Sequence, residues 1–170
     1  MRLFLSSYRA GRHDAELLNL LGEVREVGVI SNAKDYHLPE RRAERMSEVF
    51  DFFKSLGIAP HEIDLRRYFN IERANEELAG HEFIWLAGGN TFLLRRALEY
   101  SDAANFLIEH VRDNSLILGG ESAGALIAGP TLRGSEMEEN SDSPNFVPEG
   151  YSPEIIWDGL KLVNYVPVPH

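Results

Sequence analysis

A serine set between glycines is the first feature of the sequence that could perform chemistry. Residues 120–124 read Gly-Glu-Ser-Ala-Gly and match the pattern G-x-S-x-G around Ser122. In a nucleophile elbow of this pattern the serine occupies a sharp strand-to-helix turn, where small neighbours avoid steric clashes. The backbone N–H of Ala123 and the positive end of the helix dipole could then stabilise an oxyanion. Ser122 is therefore the candidate nucleophile, and a serine that merely caps a helix is the alternative.

A second glycine-rich turn could complete this site. Residues 87–91 read Ala-Gly-Gly-Asn-Thr and follow the apolar segment Phe-Ile-Trp-Leu at residues 83–86. Glycine lets backbone N–H groups approach a ligand closely, so Gly88 or Gly89 could donate a second hydrogen bond to the oxyanion. Asn90 could hold substrate, or it could simply cap the helix that follows. A phosphate site is disfavoured because no G-K-[ST] sequence follows the glycines.

A serine nucleophile also needs a base, and six histidines are available. His37 follows the second predicted strand, and His170 follows the last strand-like segment. Both positions suit a residue near the carboxyl end of a strand, so spacing leaves both histidines open as the base. An acidic residue between Ser122 and His170 could orient the imidazole. The candidates are Glu136, Glu138, Glu139 and Asp142.

Strand and helix patterns alternate along the chain and would position these residues. Apolar segments predict strands at residues 2–6, 26–30, 63–68, 83–86 and 116–118. Helical spacing and capping residues predict helices at residues 13–21, 39–57, 71–78 and 102–112, after Asn90, and from Ser122 onwards. This alternation favours a parallel, doubly wound α/β sheet with its ligand at the carboxyl ends of the strands. Residues 135–150 predict a long surface loop, and residues 155–168 return to strand-like character.

Composition limits the possible classes of function. The chain has 170 residues, with 17 Lys and Arg, 27 Asp and Glu, and a formal charge of −10. This length predicts one domain over residues 1–170, and the acidic balance disfavours binding to nucleic acid or anionic membranes. Cysteine is absent and the histidines lack metal-ligand spacing, so we expect no disulfide, metal or cofactor. The first thirty residues do not resemble a signal peptide, and the longest apolar runs are shorter than a membrane helix, so we expect a cytoplasmic protein.

Three segments together resemble peptidase family S51, which includes dipeptidase E and cyanophycinase. They are AGGNTFLL (residues 87–94), GESAGALIAGP (residues 120–130) and GLKLVNYVPVPH (residues 159–170). The resemblance implies a flavodoxin-like three-layer sandwich with a mostly parallel sheet, similar to class I glutamine amidotransferases. It also implies a serine peptidase acting on small peptides, with Asp-X dipeptides as a candidate substrate class.

The same resemblance implies roles for individual residues. Ser122 stands at the family's nucleophile, and His170 stands at its Pro-His motif, which favours His170 over His37 as the base. Glu136, followed by Met137, stands where the family has an acid before Met, and Glu138 is the second choice for the orienting carboxylate. The backbone positions that match the oxyanion site are Gly88, Gly89 and Ala123.

Two further functions remain open at this point. An α/β-hydrolase esterase would share the G-x-S-x-G turn. A flavodoxin-like binding module could keep the turn without turnover. Family members continue beyond the Pro-His motif, so the chain is expected to be truncated at its C-terminus. Its oligomeric state is left open by the sequence.

Overall fold

A five-stranded parallel sheet organises the chain. The computed structural model describes residues 1–69, 71, 74–136 and 143–168, and the statements below concern those residues. The strands are β1 (Arg2–Ser6), β2 (Glu26–Ile30), β3 (Ala59–Ile63), β4 (Phe83–Leu86) and β5 (Ile117–Glu121). Their order across the sheet is β1-β5-β4-β2-β3, and every neighbouring pair is parallel. The predicted α/β class is confirmed.

Helices cover both faces of this sheet and give three layers. They are α1 (Asp14–Leu21), α2 (Pro39–Ser55), α3 (Ala74–Leu78), α4 (Thr91–Tyr100), α5 (Ala103–Arg112) and α6 (Ala123–Leu126). Two 3₁₀ turns, Asn32–Lys34 and Leu65–Tyr68, follow β2 and β3. No helix in the described ranges combines the length and apolar character that a membrane crossing needs.

The alternation of side chains along β4 separates two apolar cores. Phe83 and Trp85 pack with α1 and α2, and the rings of Phe53 and Trp85 meet edge to face at 5.3 Å between centroids. Ile84 and Leu86 belong to the opposite core, which α3, α4, α5 and α6 cover. Because successive residues of a strand point to opposite faces, the apolar segment of β4 is buried on both sides.

The predicted strand at residues 63–68 is wrong in position. The strand lies earlier, at Ala59–Ile63, and includes Pro60. Proline is tolerated there because β3 is an edge strand, where a missing N–H on the outer side breaks no ladder bond. The side chain of Asp64 accepts the backbone N–H of Arg66 at 3.1 Å, which caps the 3₁₀ turn and ends the strand.

The prediction of strand-like structure at residues 155–168 is also wrong. Within the described part of the tail, only an isolated antiparallel bridge between Thr131 and Asp158 forms. The N–H groups of Leu160 and Leu162 instead donate to the carbonyls of Ile127 and Ala128, at 2.7 and 2.9 Å. Ile127 and Ala128 directly follow α6, so the tail supplies donors to carbonyls that have no partner within that helix.

A buried arginine anchors the predicted surface loop. Arg96 on α4 is 0% exposed, and its guanidinium donates to the carbonyl oxygens of Pro144 and Glu154, both at 2.8 Å. It also donates to the carbonyls of Phe146 and Pro153, both at 3.3 Å. Backbone carbonyls thus take the place of water around this cation, and the loop is held against α4.

Replacing Arg96 tests this anchor. Arg96→Met should lower the free energy of unfolding by at least about 2 kcal/mol, because several partly buried carbonyls lose their donor. Urea unfolding monitored by circular dichroism would measure the change. Arg12→Met, at an exposed position, is the matched control and should leave the unfolding midpoint unchanged. Equal midpoints for the two variants would contradict the anchoring role.

Candidate active site

The carboxyl ends of four strands meet at one edge of the sheet. In the strand register, Leu86 of β4 lies beside Gly120 of β5 and beside Ile30 of β2. Ser6, at the end of β1, lies beside Glu121 at the end of β5. The segments that leave these strands therefore converge, as expected for a parallel α/β sheet.

These segments enclose a pocket of about 220 Å³ that contains Ser122. Four strand ends and α2 contribute to its wall. The lining residues are Ser7, Tyr8, Arg9, Lys34, Tyr36, His37, Arg45, Glu48, Val49, Gly88, Gly89, Glu121 and Ser122. The two glycine-rich turns of the sequence are thus brought together with groups from the turn after β2.

Ser122 has the backbone conformation of a nucleophile elbow. Its φ and ψ are +49° and −112°, and α6 begins at the next residue. A positive φ is costly for a residue with a Cβ atom, and such strain is kept when the surrounding structure enforces it. Here the N–H of Ser122 donates to the carbonyl of Ser6 at 3.0 Å, which fixes the turn to the end of β1.

The tight turn requires glycine at position 124. A Cβ atom added to Gly124 would lie 2.1 Å from the carbonyl oxygen of Leu86, far inside van der Waals contact. The first turn of α6 therefore passes directly against the backbone of β4. This contact explains in physical terms the second glycine of the G-x-S-x-G pattern.

The Gly88–Gly89 turn lies against the serine on one side and against the turn after β2 on the other. Gly89 has a φ of +145°, and a Cβ atom there would lie 2.2 Å from the carbonyl oxygen of Ala33. A Cβ atom on Gly88 would lie 3.1 Å from the Cβ of Ser122. A side chain at Gly89 would collide with the backbone, and one at Gly88 would crowd the serine side chain, so backbone atoms border Ser122 directly.

Two backbone N–H groups near Ser122 are available to a ligand. Across the described residues, the N–H of Gly89 and that of Ala123 donate to no protein acceptor. The N–H of Ala123 belongs to the first turn of α6, where donors lack partners within the helix. Their role in binding an oxyanion, together with that of Gly88, stays a prediction.

Asn90 acts as the cap of α4. Its side-chain oxygen accepts the N–H of Leu93 at 2.8 Å, and its amide nitrogen donates to the carbonyl of Ser143 at 3.1 Å. The residue is fully buried and does not line the serine pocket. The capping alternative thus accounts for the first of these contacts, the second ties Asn90 to a distant loop, and a contact with substrate stays a prediction.

His37 is the histidine that the described structure brings to the serine pocket. It lies on Tyr36, with 3.9 Å between the ring centroids. Burial lowers the pKa of His37, and the cations Arg41, Arg45 and Lys34 lower it further. A neutral imidazole can accept a proton, so His37 remains a candidate base on chemical grounds.

Of the other predicted members of a catalytic triad, the structure describes only Glu136. His170 and Glu138 are outside the described residues, so their positions relative to Ser122 stay predictions. Glu136 is exposed and does not line the pocket. Its carboxylate accepts the N–H of Gly134 at 2.6 Å. Its pKa is lowered by hydrogen bonds from its own backbone and from those of its neighbours. Its role in orienting a histidine is likewise untested.

Sequence reasoning missed Lys34, a buried cation that lines the pocket together with Glu121. The ammonium of Lys34 donates to the carbonyl of Gly88 at 2.8 Å, and Glu121 accepts the N–H of Arg9 at 2.6 Å. Burial lowers the pKa of Lys34, whereas the carboxylates of Glu121 and Glu48 oppose that shift. The position of Lys34 just after β2 could have revealed it, because residues after parallel strands face the ligand edge.

The pocket residues that α2 contributes could not have been recognised from the sequence in the same way. The middle of this amphipathic helix, where charged residues usually face solvent, contains Arg45, Glu48 and Val49.

In the described parts of the chain, no group of three His, Asp or Glu side chains is placed to hold a metal ion.

Comparisons with known sequences match the chain over most of its length. The profile of peptidase family S51 matches residues 12–170. An uncharacterized peptidase of Listeria monocytogenes is 29% identical over 118 residues, which are 69% of this chain and 53% of the relative. An uncharacterized peptidase of Pasteurella multocida is 28% identical over 118 residues, with coverage of 69% and 53%. The chain spans about half the length of the curated relatives it matches.

Solved structures share the fold. A crystal structure of a candidate peptidase E from Listeria monocytogenes has a TM-score of 0.73 and 23% identity, covering 96% of this chain and 76% of that one. A peptidase from an acI-B1 actinobacterium has a TM-score of 0.59 and 15% identity, covering 83% of this chain and 62% of that one. At these identities the similarity concerns the fold, and it agrees with the expected three-layer sandwich.

The strained conformation of Ser122 can be tested by comparing two substitutions. Ser122→Gly should unfold with a free energy about 1 kcal/mol higher than Ser122→Ala, because glycine adopts a positive φ without a Cβ clash. Both variants lack the hydroxyl group, so the difference isolates the backbone. Chemical denaturation would measure it. A Ser122→Ala variant more stable than Ser122→Gly would show that the turn is unstrained.

The environment of His37 predicts its titration. Its pKa measured by NMR should lie below the ordinary value of about 6.5, and Arg41→Gln should raise it by removing a repulsive cation. Because the unfolded chain binds this proton more readily, the contribution of His37 to stability falls as pH drops through the ordinary pKa. A pKa above that of free histidine would contradict the structure around the imidazole.

Proposed function

Because the chain belongs to peptidase family S51, we propose that it forms a serine-type peptidase site with Ser122 as the nucleophile. The observation that carries this proposal is the backbone of Ser122, which has a positive φ at the junction of β5 and α6. This conformation places the hydroxyl-bearing residue at the carboxyl edge of the sheet, inside a pocket. A helix-capping serine needs neither the strain nor the pocket, and the Ser122 side chain forms no capping bond.

The proposed reaction begins with attack of the Ser122 oxygen on the carbonyl carbon of a peptide bond. A base takes the hydroxyl proton, and the negative charge moves onto the former carbonyl oxygen. When this tetrahedral species collapses, the carbon–nitrogen bond breaks and the proton passes to the leaving amine. Water then hydrolyses the resulting ester on Ser122 by the same steps.

The N–H groups of Ala123 and of the Gly88–Gly89 turn would bind the oxyanion. Within the described residues the N–H groups of Gly89 and Ala123 have no protein acceptor, which supports this role, because donors that are already fixed need no rearrangement during the reaction. His170 is the proposed base by its resemblance to the family's Pro-His motif, with Glu136 or Glu138 orienting it. His37 is the alternative base, supported by its place in the pocket and its lowered pKa.

The substrates we propose are short peptides in the cytoplasm. A pocket of about 220 Å³ is small enough to favour one or two residues of a peptide over a folded chain. Asp-X dipeptides are the first class to test, and matched Asn-X dipeptides are the control because their side chain has nearly the same shape without the negative charge. Simple esters would reveal a site that cleaves activated acyl groups without acting on peptides.

Labelling with a fluorophosphonate tests the nucleophile even while the substrate is unidentified. The folded chain should gain one phosphonyl group, and peptide mass spectrometry should locate it on Ser122. Ser122→Ala should lose the label completely, whereas Ser55→Ala, at an exposed position on α2, should keep it. A folded wild-type chain that stays unlabelled at Ser122 would overturn the proposed function.

Substitution of the two histidines separates the candidate bases. His170→Ala should reduce the labelling rate by roughly 100-fold or more, since general-base catalysis contributes on that order. His37→Ala should change the rate far less. The opposite pattern would assign the base to His37 and overturn the role inferred for His170.

A further inference from the structure

A buried lysine lies beside the Gly88–Gly89 turn and has no part in the proposed reaction steps. Lys34 is only 9% exposed, and its ammonium donates to the carbonyl oxygen of Gly88 at 2.8 Å. Burying an ammonium group is costly unless specific partners compensate. The hydrogen bond from Lys34 to the carbonyl of Gly88 is therefore the contact from which we infer the role of this lysine.

The carbonyl that Lys34 holds belongs to the peptide group between Gly88 and Gly89, and both glycines line the serine pocket. In a trans peptide the C=O and the N–H point in opposite directions, and the described chain contains no cis peptide. The carbonyl of Gly88 and the N–H of Gly89 form one such group. When Lys34 holds the carbonyl on its own side, the N–H of Gly89 is directed to the other side.

A peptide between two glycines needs such a restraint. Glycine lacks the Cβ that limits rotation, so this peptide could turn and exchange its carbonyl and N–H directions. The N–H of the following residue, Asn90, is already fixed by the carbonyl of Ala33 at 2.7 Å. In the described chain neither the carbonyl of Gly88 nor the N–H of Gly89 has a backbone partner, so the contact from Lys34 is the hydrogen bond that restrains this peptide.

The turn that carries Lys34 is itself rigid. The N–H of Lys34 donates to the carbonyl of Ser31 at 2.8 Å, within the 3₁₀ turn after β2. The side-chain oxygen of Asn32 accepts the N–H of Leu65 at 3.1 Å, and its amide donates to Asp35 at 2.9 Å. The ammonium therefore extends from a fixed backbone, which is what a positioning residue requires.

We propose that Lys34 is a positioning residue, which fixes the Gly88–Gly89 peptide so that the N–H of Gly89 serves the oxyanion formed at Ser122. The ammonium also withdraws electron density through the peptide group, which makes that N–H a stronger donor. The carboxylates of Glu121 and Glu48 lie close enough to favour the charged amine in its buried place. This role rests on the proposed function of Ser122.

Kinetics of fluorophosphonate labelling test the effect on the reaction. Lys34→Met should lower the maximal labelling rate by about 10- to 100-fold, somewhat less than the loss of a complete oxyanion donor. The half-saturating reagent concentration should stay unchanged, because the contact gains strength only as the oxyanion forms. Lys34→Arg should recover part of the rate, and Lys54→Met, at an exposed lysine, should behave as wild type. A Lys34→Met variant that labels at the wild-type rate would overturn the proposal.

A second measurement is independent of reactivity. In ¹H–¹⁵N NMR spectra, the amide resonance of Gly89 should move in Lys34→Met and stay in place in Lys54→Met. If Ser122 of the wild type is not labelled, the peptidase proposal fails, and this resonance still decides whether Lys34 fixes the peptide. An unmoved Gly89 resonance in folded Lys34→Met would show that the lysine does not position this group.

Discussion

Direct contact between backbones at the carboxyl edge of the sheet is the constraint on which the site depends. A Cβ atom on Gly89 would lie 2.2 Å from the carbonyl oxygen of Ala33, and a Cβ atom on Gly124 would lie 2.1 Å from that of Leu86. Such distances are compatible only with residues that lack side chains at the points of contact. The turns after β2, β4 and β5 are therefore fixed relative to one another, and this rigidity can maintain the strained backbone of Ser122.

A buried polar cluster extends that rigidity to the turn that carries Lys34. Asp35 accepts hydrogen bonds from Arg42 and from the hydroxyl of Tyr151, both at 2.6 Å. Burial and the adjacent carboxylate raise the pKa of Tyr151 far above its ordinary value, so the hydroxyl stays a donor. The loop that contains Tyr151 is thereby tied to the edge of the sheet near the serine pocket. Polar groups buried in this way specify a single arrangement because an unpaired member would be costly.

The sequence predicted the site well where local structure decides it and poorly where packing decides it. The G-x-S-x-G turn and the Gly88–Gly89 turn were located, and their neighbourhood followed from the rule for parallel strands. Lys34 and Arg45 were not recognised, because which charged residue faces a pocket depends on how a helix or turn is rotated against the sheet. The shift of β3 to Ala59–Ile63 has a similar cause, since an edge strand tolerates Pro60 that would disfavour a central one.

The sequence by itself determined the α/β class, the buried central strand β4 and the glycine-flanked Ser122. These features arise from apolar periodicity and from backbone conformations that few residue types can adopt, and both can be seen within a short window. Only the tertiary structure decided that the turn after β2 joins the serine and that the tail pairs with the end of α6. It also decided that Arg96 holds the loop. Each of these contacts joins residues tens of positions apart, and its formation depends on the packing of the whole sheet.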